Sequence, residues 1–411
     1  MGNRNRVCIA ARLPRPLDVA VVFGTRPEAI KLAPVISTLS ADDRFCVRVV
    51  LTGQHREMVH EIIGPLGIRP EVDLDIMKAG QSLNEIVQAA LSRLDALYRD
   101  TCPEVVLVQG DTSTAFAAAL AAFHRRLSVA HVEAGLRSFD MHHPYPEESN
   151  RRMVSAVTDL HFAPTRQAAA HLLAEGIPND SVFVTGNTVV DALKLALNRD
   201  APTYPLLEPG RELVLITLHR REAWDGTRED GSSVLAGILR GIKEAASQHR
   251  DLAFVYPMHR NPRVREAAQS ILGDVENVSL VEPLAYFEFV ELMARARLIV
   301  TDSGGIQEEA PSLGVPVLVV RERTERPEAI DSGWSTLVGT RPADIEAAIA
   351  TALAKEKPCP CEVPRPGPFG DGRASARIRD ALLWFKGFGP RPDDFLVDGA
   401  TGASSDGALK G

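Results

Sequence analysis

The stretch VAVVFGTRPEAIKLAP, residues 19–34, decides the fold class. A run of β-branched and aromatic residues, VAVVF, ends at Gly24, and Thr25-Arg-Pro-Glu28 then has the spacing of a capping box that opens a helix. Strand, glycine turn and helix in direct succession form the opening of a parallel sheet covered by helices. The same alternation runs outward through CVRVVL (46–51), VVLVQ (105–109), SVAHVE (128–133) and SVFVTG (181–186), and a second capping box stands at Ser82-Leu-Asn-Glu85. APTYPLLEPG (201–210) breaks the rhythm and reads as a linker. A second series follows: ELVLITL (212–218), LAFVYPM (252–258), VSLVE (278–282), LIVTD (298–302), VPVLVV (315–320) and STLVG (335–339).

These runs predict an α/β chain of two doubly wound domains facing a central cleft, the first over 18–200 and the second over 211–370. Residues 1–17 read as a flexible extension and 371–387 as a helix packing back toward the first domain. Residues 388–411, with five glycines, read as a disordered tail. The length of 411 residues suits two cores. The net charge of −8, from 46 basic and 54 acidic residues, argues against nucleic acid or an anionic membrane as partner. Five scattered cysteines fit reduced thiols, and Cys359-Pro-Cys361 lacks the second pair a zinc site needs. The basic start MGNRNRVCIAARLPRP has no apolar core for a signal peptide, Arg6 stands where myristoylation needs Ser or Thr, and no apolar run approaches the roughly 18 residues of a membrane span. A soluble cytoplasmic protein is expected.

The residues that carry chemistry sit at strand ends. Gly24-Thr-Arg26 combines a tight turn, a helix start and a cation, which suits an anion, although an ordinary helix cap accounts for it equally. Asp302-Ser-Gly-Gly-Ile-Gln-Glu-Glu309 again joins a strand to a helix. Ser303, Gly304 and Gly305 there can present backbone N–H groups to a diphosphate, and Glu309 can accept from ribose hydroxyls. Neither a dinucleotide fingerprint nor a phosphate loop is present, so NAD and ATP are not implied. Arg-Pro-Glu-Ala-Ile occurs at 26–30 and again at 326–330, so Arg26 and Arg326 are candidates to clamp one phosphorylated ligand from two sides.

Three acids share the first domain's strand ends: Asp111, Glu133 and Glu147. Several carboxylates in one cleft can be driven to different pKa values, which separates proton donor from acceptor. Helix capping is the competing account of Asp111 and a solvated helix start that of Glu147, whereas Glu133 ends an apolar strand where an unpaired charge is costly. His219-Arg-Arg-Glu222 and His259 bring positive charge to the opposite wall.

With these residues in place, the chain resembles the non-hydrolysing bacterial UDP-N-acetylglucosamine 2-epimerases from about residue 19 to 387. The resemblance rests on FGTRPEAIKLAP, TGQHREM, QGDTSTAFAAALAAF, HVEAGLRS, GNTVVDAL, HRRE, TDSGGIQEEAPSLGVPVL and RTERPEAI together. It implies the GT-B fold, a homodimer, no metal and no redox cofactor. It also implies nucleotide-sugar contacts from Arg26, Lys31, His219, Phe289, Ser303, Gly304, Gly305, Glu309 and Arg326, with acid/base work by Asp111, Glu133 and Glu147. The implied reaction inverts C2 of UDP-N-acetylglucosamine through elimination of UDP to 2-acetamidoglucal and re-addition. Gln54, His55, Gln81 and His259 match a second-nucleotide activator site. Three features depart from the family: Leu284 where glutamine is frequent, Glu57 in place of glutamine, and HRREAWDGTREDGSS (219–233) in place of the usual continuation. A hydrolysing epimerase and a GT-B glycosyltransferase remain alternatives. The intact TGQHREM disfavours the first, and three acids with no evident acceptor site disfavour the second.

Overall fold

The computed structural model describes residues 15–54, 56–78, 80–197, 210–220, 226, 233–356 and 367–396. The first domain holds strands β1 (Leu17–Phe23), β2 (Phe45–Leu51), β3 (Val72–Asp73), β4 (Val105–Gln109), β5 (Ser128–Val132), β6 (Leu160–Ala163) and β7 (Val182–Val184). Its helices are α1 (Arg26–Ser40), α2 (Arg56–Ile63), α3 (Leu83–Thr101), α4 (Ser113–His124), α5 (Glu147–Ala156), α6 (Arg166–Ala174) and α7 (Thr188–Leu197). The second domain holds β8 (Leu213–Thr217), β9 (Ala253–Pro257), β10 (Val278–Val281), β11 (Ala296–Thr301), β12 (Val317–Val319) and β13 (Ser335–Leu337). With them come α8 (Val234–Gln248), α9 (Pro262–Leu272), α10 (Tyr286–Arg295), α11 (Gly304–Glu309), α12 (Pro327–Asp331) and α13 (Pro342–Ala354), and α14 (Ala374–Phe385) follows.

Both sheets are parallel and reverse direction once. The first runs β3-β2-β1-β4-β5-β6-β7 and the second β10-β9-β8-β11-β12-β13. In each, consecutive strands wind outward one way from the first strand, then the other way from its second neighbour. The reversal leaves a crevice at the carboxyl ends of β1 and β4 in one sheet and of β8 and β11 in the other, which is where this architecture binds ligands. The strands are buried on both faces, so they read as continuous apolar runs rather than alternating ones. Gly24 ends β1 because a Cβ there would collide with the hydroxyls of Thr52 and Thr114, which hydrogen-bond each other at 2.9 Å. A matching pair, Thr217 and Thr301, joins the ends of β8 and β11 at 2.5 Å.

One apolar cluster lines a face of the first sheet, takes in α1 and α14, and continues into Tyr286, Val290 and Met293 of α10. The domains therefore share core, and α7 packs on both α10 and α11. Among the described residues no helix is long and apolar enough to cross a membrane.

Two expectations need correction. Residues 1–17 were expected to be a flexible extension, yet Leu17 already belongs to β1, is buried, and pairs with Phe45. Residues 388–411 were expected to be disordered, yet 388–396 are fixed. Phe395 is 2% exposed, its N–H donates to Val184 O at 2.6 Å, and Asp394 accepts from Val184 N–H at 2.9 Å. Arg391 lies over the Phe183 ring, 4.1 Å from its centroid, and donates to Val182 O at 2.6 Å. Mean composition hides this, because one buried aromatic and the open edge of β7 suffice to order the segment. The expected linker at 201–210, apart from Gly210, and Cys359 and Cys361 lie outside the described residues.

Candidate active site

In the first domain the crevice loops are held by buried carboxylates. Glu28 of α1 turns back to accept from the N–H groups of Gly24 (3.0 Å) and Thr25 (2.8 Å) and from the Thr112 hydroxyl (2.7 Å). It thereby ties the loop after β1 to the N-cap of α4, and burial pushes its pKa up despite these donors. Glu133 follows β5 with φ at +65°, a conformation that non-glycine residues rarely adopt outside constrained sites. Lys31 Nζ donates to both of its oxygens, at 2.7 and 2.5 Å, and Gln109 donates to one of them. Burial works against the Lys31 ammonium, but the charges of Glu133 and Glu308 outweigh it and hold its pKa above the ordinary value. Asp111 follows β4 and is paired with Arg151 of α5, while Asn150 Nδ2 donates to its carbonyl at 2.9 Å. Below them, His131 Nε2 meets Gly110 O at 2.7 Å. Burial lowers the His131 pKa to about 3, so the ring is neutral and donates.

Glu147 opens α5 with one carboxylate oxygen buried and unbonded among the described residues. Its neighbour Glu148, wholly buried, does the local holding. It accepts from the N–H groups of Ser138 (2.9 Å) and Phe139 (3.3 Å) and from Arg152 Nε (3.1 Å).

In the second domain Asp302, buried after β11, accepts from the backbone N–H of His219 (3.0 Å) and Arg220 (3.0 Å) and sits 3.0 Å from His219 Nδ1. Ser303 is the N-cap of α11 and Gly304 and Gly305 start it, but the Ser303 N–H expected to face a diphosphate donates instead to Thr301 Oγ1 at 2.9 Å. Arg326, the N-cap of α12, donates through Nε to Glu308, which also accepts from Asn187 Nδ2 at 3.0 Å and lies 3.9 Å from Lys31 Nζ. Thr165 donates to Glu328 at 2.8 Å, a second polar link between the domains. Burial raises the Glu325 carboxyl, but Arg321, at 2.9 Å, and Arg220 overcome it and bring its pKa down to about 2. Glu309 is pushed up to about 8 by burial and by the neighbouring Glu308 charge, with Lys31 opposing.

Two cavities open at the domain junction. The larger, about 870 Å³, is lined by Arg26, Lys31, His219, His259, Leu284, Phe289, Ser303, Gly305 and Glu309 among others. The smaller, about 660 Å³, is lined by Arg326 together with Arg137, Arg151, Arg220 and Arg321. Gly304 stands beside both: a Cβ there would be 3.3 Å from Arg220 Nη2 and 3.9 Å from Arg326 Nη2. The two arginines of the repeated pentapeptide thus line different cavities. Asp111, Glu133 and Glu147 line neither cavity, whereas Arg151, the partner of Asp111, lines the smaller and Lys31, the partner of Glu133, the larger. Among the described residues expected at an activator site, only His259 lines the larger cavity; α2 supplies Met58 and Glu61 there. Gln54 accepts from the Thr114 hydroxyl at 2.7 Å, Gln81 accepts from Lys78 N–H at 2.7 Å, and His55 lies outside the described residues.

A protein-family model described as UDP-N-acetylglucosamine 2-epimerase matches residues 37–383. The chain is 46% identical over 380 residues to the UDP-N-acetylglucosamine 2-epimerase of Salmonella typhimurium, covering 90% of this chain and 99% of that one. It is 44% identical over 384 residues to the Bacillus subtilis protein of the same name, covering 93% and 99%. The crystal structure of UDP-GlcNAc 2-epimerase from Neisseria meningitidis bound to UDP-GlcNAc matches with a TM-score of 0.79 at 42% identity, covering 89% of this chain and 99% of that one.

Proposed function

The chain belongs to the UDP-N-acetylglucosamine 2-epimerase family, and on that premise we propose that it interconverts UDP-N-acetylglucosamine and UDP-N-acetylmannosamine at the domain junction. The observation that carries the reading is the pairing of Lys31 with Glu133 on one side of the cleft and of Arg326 with Glu308 on the other.

C2 of the sugar has no adjacent carbonyl, so its proton is poorly acidic. Elimination avoids that difficulty. The C1–O bond breaks with its electron pair going to UDP, a carboxylate takes H2, and 2-acetamidoglucal forms. UDP oxygen then returns to C1 while a proton reaches C2 on the opposite face. Charge growing on the departing diphosphate calls for fixed cations and donors. Arg326 on the smaller-cavity side, Arg26 and His219 on the larger-cavity side, and the N–H groups of Gly304 and Gly305 are assigned to that need. Asp111, Glu133 and Glu147 form the acid/base set, because proton traffic on two faces needs at least two groups. Phe289 is assigned to the uracil, Glu309 to the ribose, and Lys31 to the sugar side. Leu284 gives an apolar contact near the base. We assign a second nucleotide to the region of Gln54, His55, Gln81 and His259, and place the enzyme in the cytoplasm as a homodimer.

The test is to incubate the purified protein with UDP-N-acetylglucosamine in D2O and follow the products by NMR. Epimerised UDP-sugar carrying deuterium at C2 is expected. Epimerised sugar without deuterium would exclude solvent-exchangeable carboxylates as the proton source. Stoichiometric free N-acetylmannosamine would indicate a hydrolysing enzyme, and transfer with C2 still protiated a glycosyltransferase.

A further inference from the structure

Glu308 is 1% exposed, and apart from its pairing with Arg326 no part in the reaction is assigned to it above. It adjoins Glu309 on α11, but successive helical residues point about 100° apart. Glu309 therefore faces the larger cavity, whereas Glu308 faces the junction between the domains. There it meets three groups: Arg326 from its own domain, and Asn187 at 3.0 Å and Lys31 at 3.9 Å from the other. The two cations repel each other, since the Arg326 charge lowers the Lys31 pKa. Glu133 and Glu308 are the anions that let both cations remain charged in a buried place. A buried ion network of this kind is weak as a source of stability, because desolvation costs about as much as the attraction returns. Its value lies in fixing where charges stand.

We propose that Glu308 is a positioning residue for the epimerisation proposed above: it holds the Arg326 guanidinium and the Lys31 ammonium across the domain junction, so that C1–O cleavage and C2 deprotonation become available together. Arg326 serves the bond to the leaving group, and Lys31 holds the carboxylate of Glu133. One carboxylate that touches both cations, with a second anchor on Asn187, makes the two half-reactions depend on one interdomain contact. This inference rests on the epimerase reading.

The test compares Glu308→Gln and Glu308→Asp with the unaltered enzyme. A displaced charge near the reacting bonds costs roughly 10²-fold in rate, so kcat should fall by about that factor in Glu308→Gln. KM for UDP-N-acetylglucosamine should change much less than kcat, since Glu308 touches neither Arg26 nor Phe289 in the larger cavity. More 2-acetamidoglucal should escape per turnover, because the two steps are no longer held together. Glu308→Asp, which keeps the charge, should recover part of kcat. Unaltered kcat in Glu308→Gln would overturn the proposal. So would a loss that Glu308→Asp does not lessen, with no added leakage, which marks a merely structural role. A readout independent of turnover is the carboxyl carbon signal of Glu309, assigned with Glu309→Gln. Glu309 is faced by Glu308, Lys31 and Tyr286, the last of these lying near Arg26. Its midpoint near pH 8 should fall in Glu308→Gln, and an unmoved midpoint would refute a charged Glu308 at the hub. If the unaltered enzyme yields no epimerised sugar, the functional reading fails, and the Glu309 signal still decides whether Glu308 carries that charge.

Discussion

Replacing Glu309 with glutamine should stabilise the ligand-free protein at alkaline pH and do little at acid pH. In the folded chain the Glu309 carboxyl is raised from 4.5 to about 8. A raised acid contributes most favourably below its unfolded value, and that contribution is lost as pH rises through its folded value. The difference of about 3.5 pKa units corresponds to at most about 5 kcal/mol at pH 8.5. Glu309 lines the larger cavity and is only half-buried, so water reaching it there reduces the figure. About 2–3 kcal/mol is the expectation at pH 8.5, and under about 1 kcal/mol at pH 5. Glutamine has nearly the same shape and does not ionise, so wild type should lose ground to Glu309→Gln between pH 4.5 and 8. Urea unfolding of both proteins at pH 5 and pH 8.5 measures this, and the comparison at each pH removes what the two share. A stability difference between the two proteins that is the same at both pH values would refute the assignment of a raised, mostly protonated Glu309.

Asp111→Asn, Glu133→Gln and Glu147→Gln should each lower turnover by at least roughly 10²-fold while UDP affinity changes much less; three amides that epimerise normally would remove the acid/base assignment. Phe395→Ala should cost about 3–5 kcal/mol, the usual scale for an emptied aromatic site, and should make the C-terminal segment a target for limited proteolysis; an unchanged melting temperature would show that the buried ring does not anchor it.

Sheet and helix order were legible because strands buried on both faces leave uninterrupted β-branched runs, as in VVLVQ and VAVVF. Two strands escaped the reading. β6 is only Leu-His-Phe-Ala, and its central His161 breaks the apolar run, while β3 is two residues at a sheet edge. The strand-to-helix turns at Gly24 and Ser303–Gly305 were legible for the same reason as the strands: they follow directly after them. Twin acids were not. In Glu147-Glu148 and Glu308-Glu309 the sequence shows two equivalent carboxylates, and only the phase of the helix start decides which is buried. Glu147 and Glu309 are the acids assigned to proton transfer and ribose, while the fold buries their neighbours Glu148 and Glu308. The pairing of Asp111 with Arg151 and of Glu133 with Lys31 was likewise out of reach, because it depends on where α5 and α1 lie against the strand ends.

The return of residues 388–396 to the edge of β7 bears on how the chain is made. A ribosome delivers the first domain's seven strands long before residue 395 emerges. Until then β7 offers an unpaired edge, of the kind that recruits foreign strands, and the pocket for Phe395 stands empty. α14, which packs on α1 and α7, is equally late. The first domain to be synthesised is thus the last to be finished, and messages truncated near the 3′ end should yield chains whose N-terminal half is the sticky part.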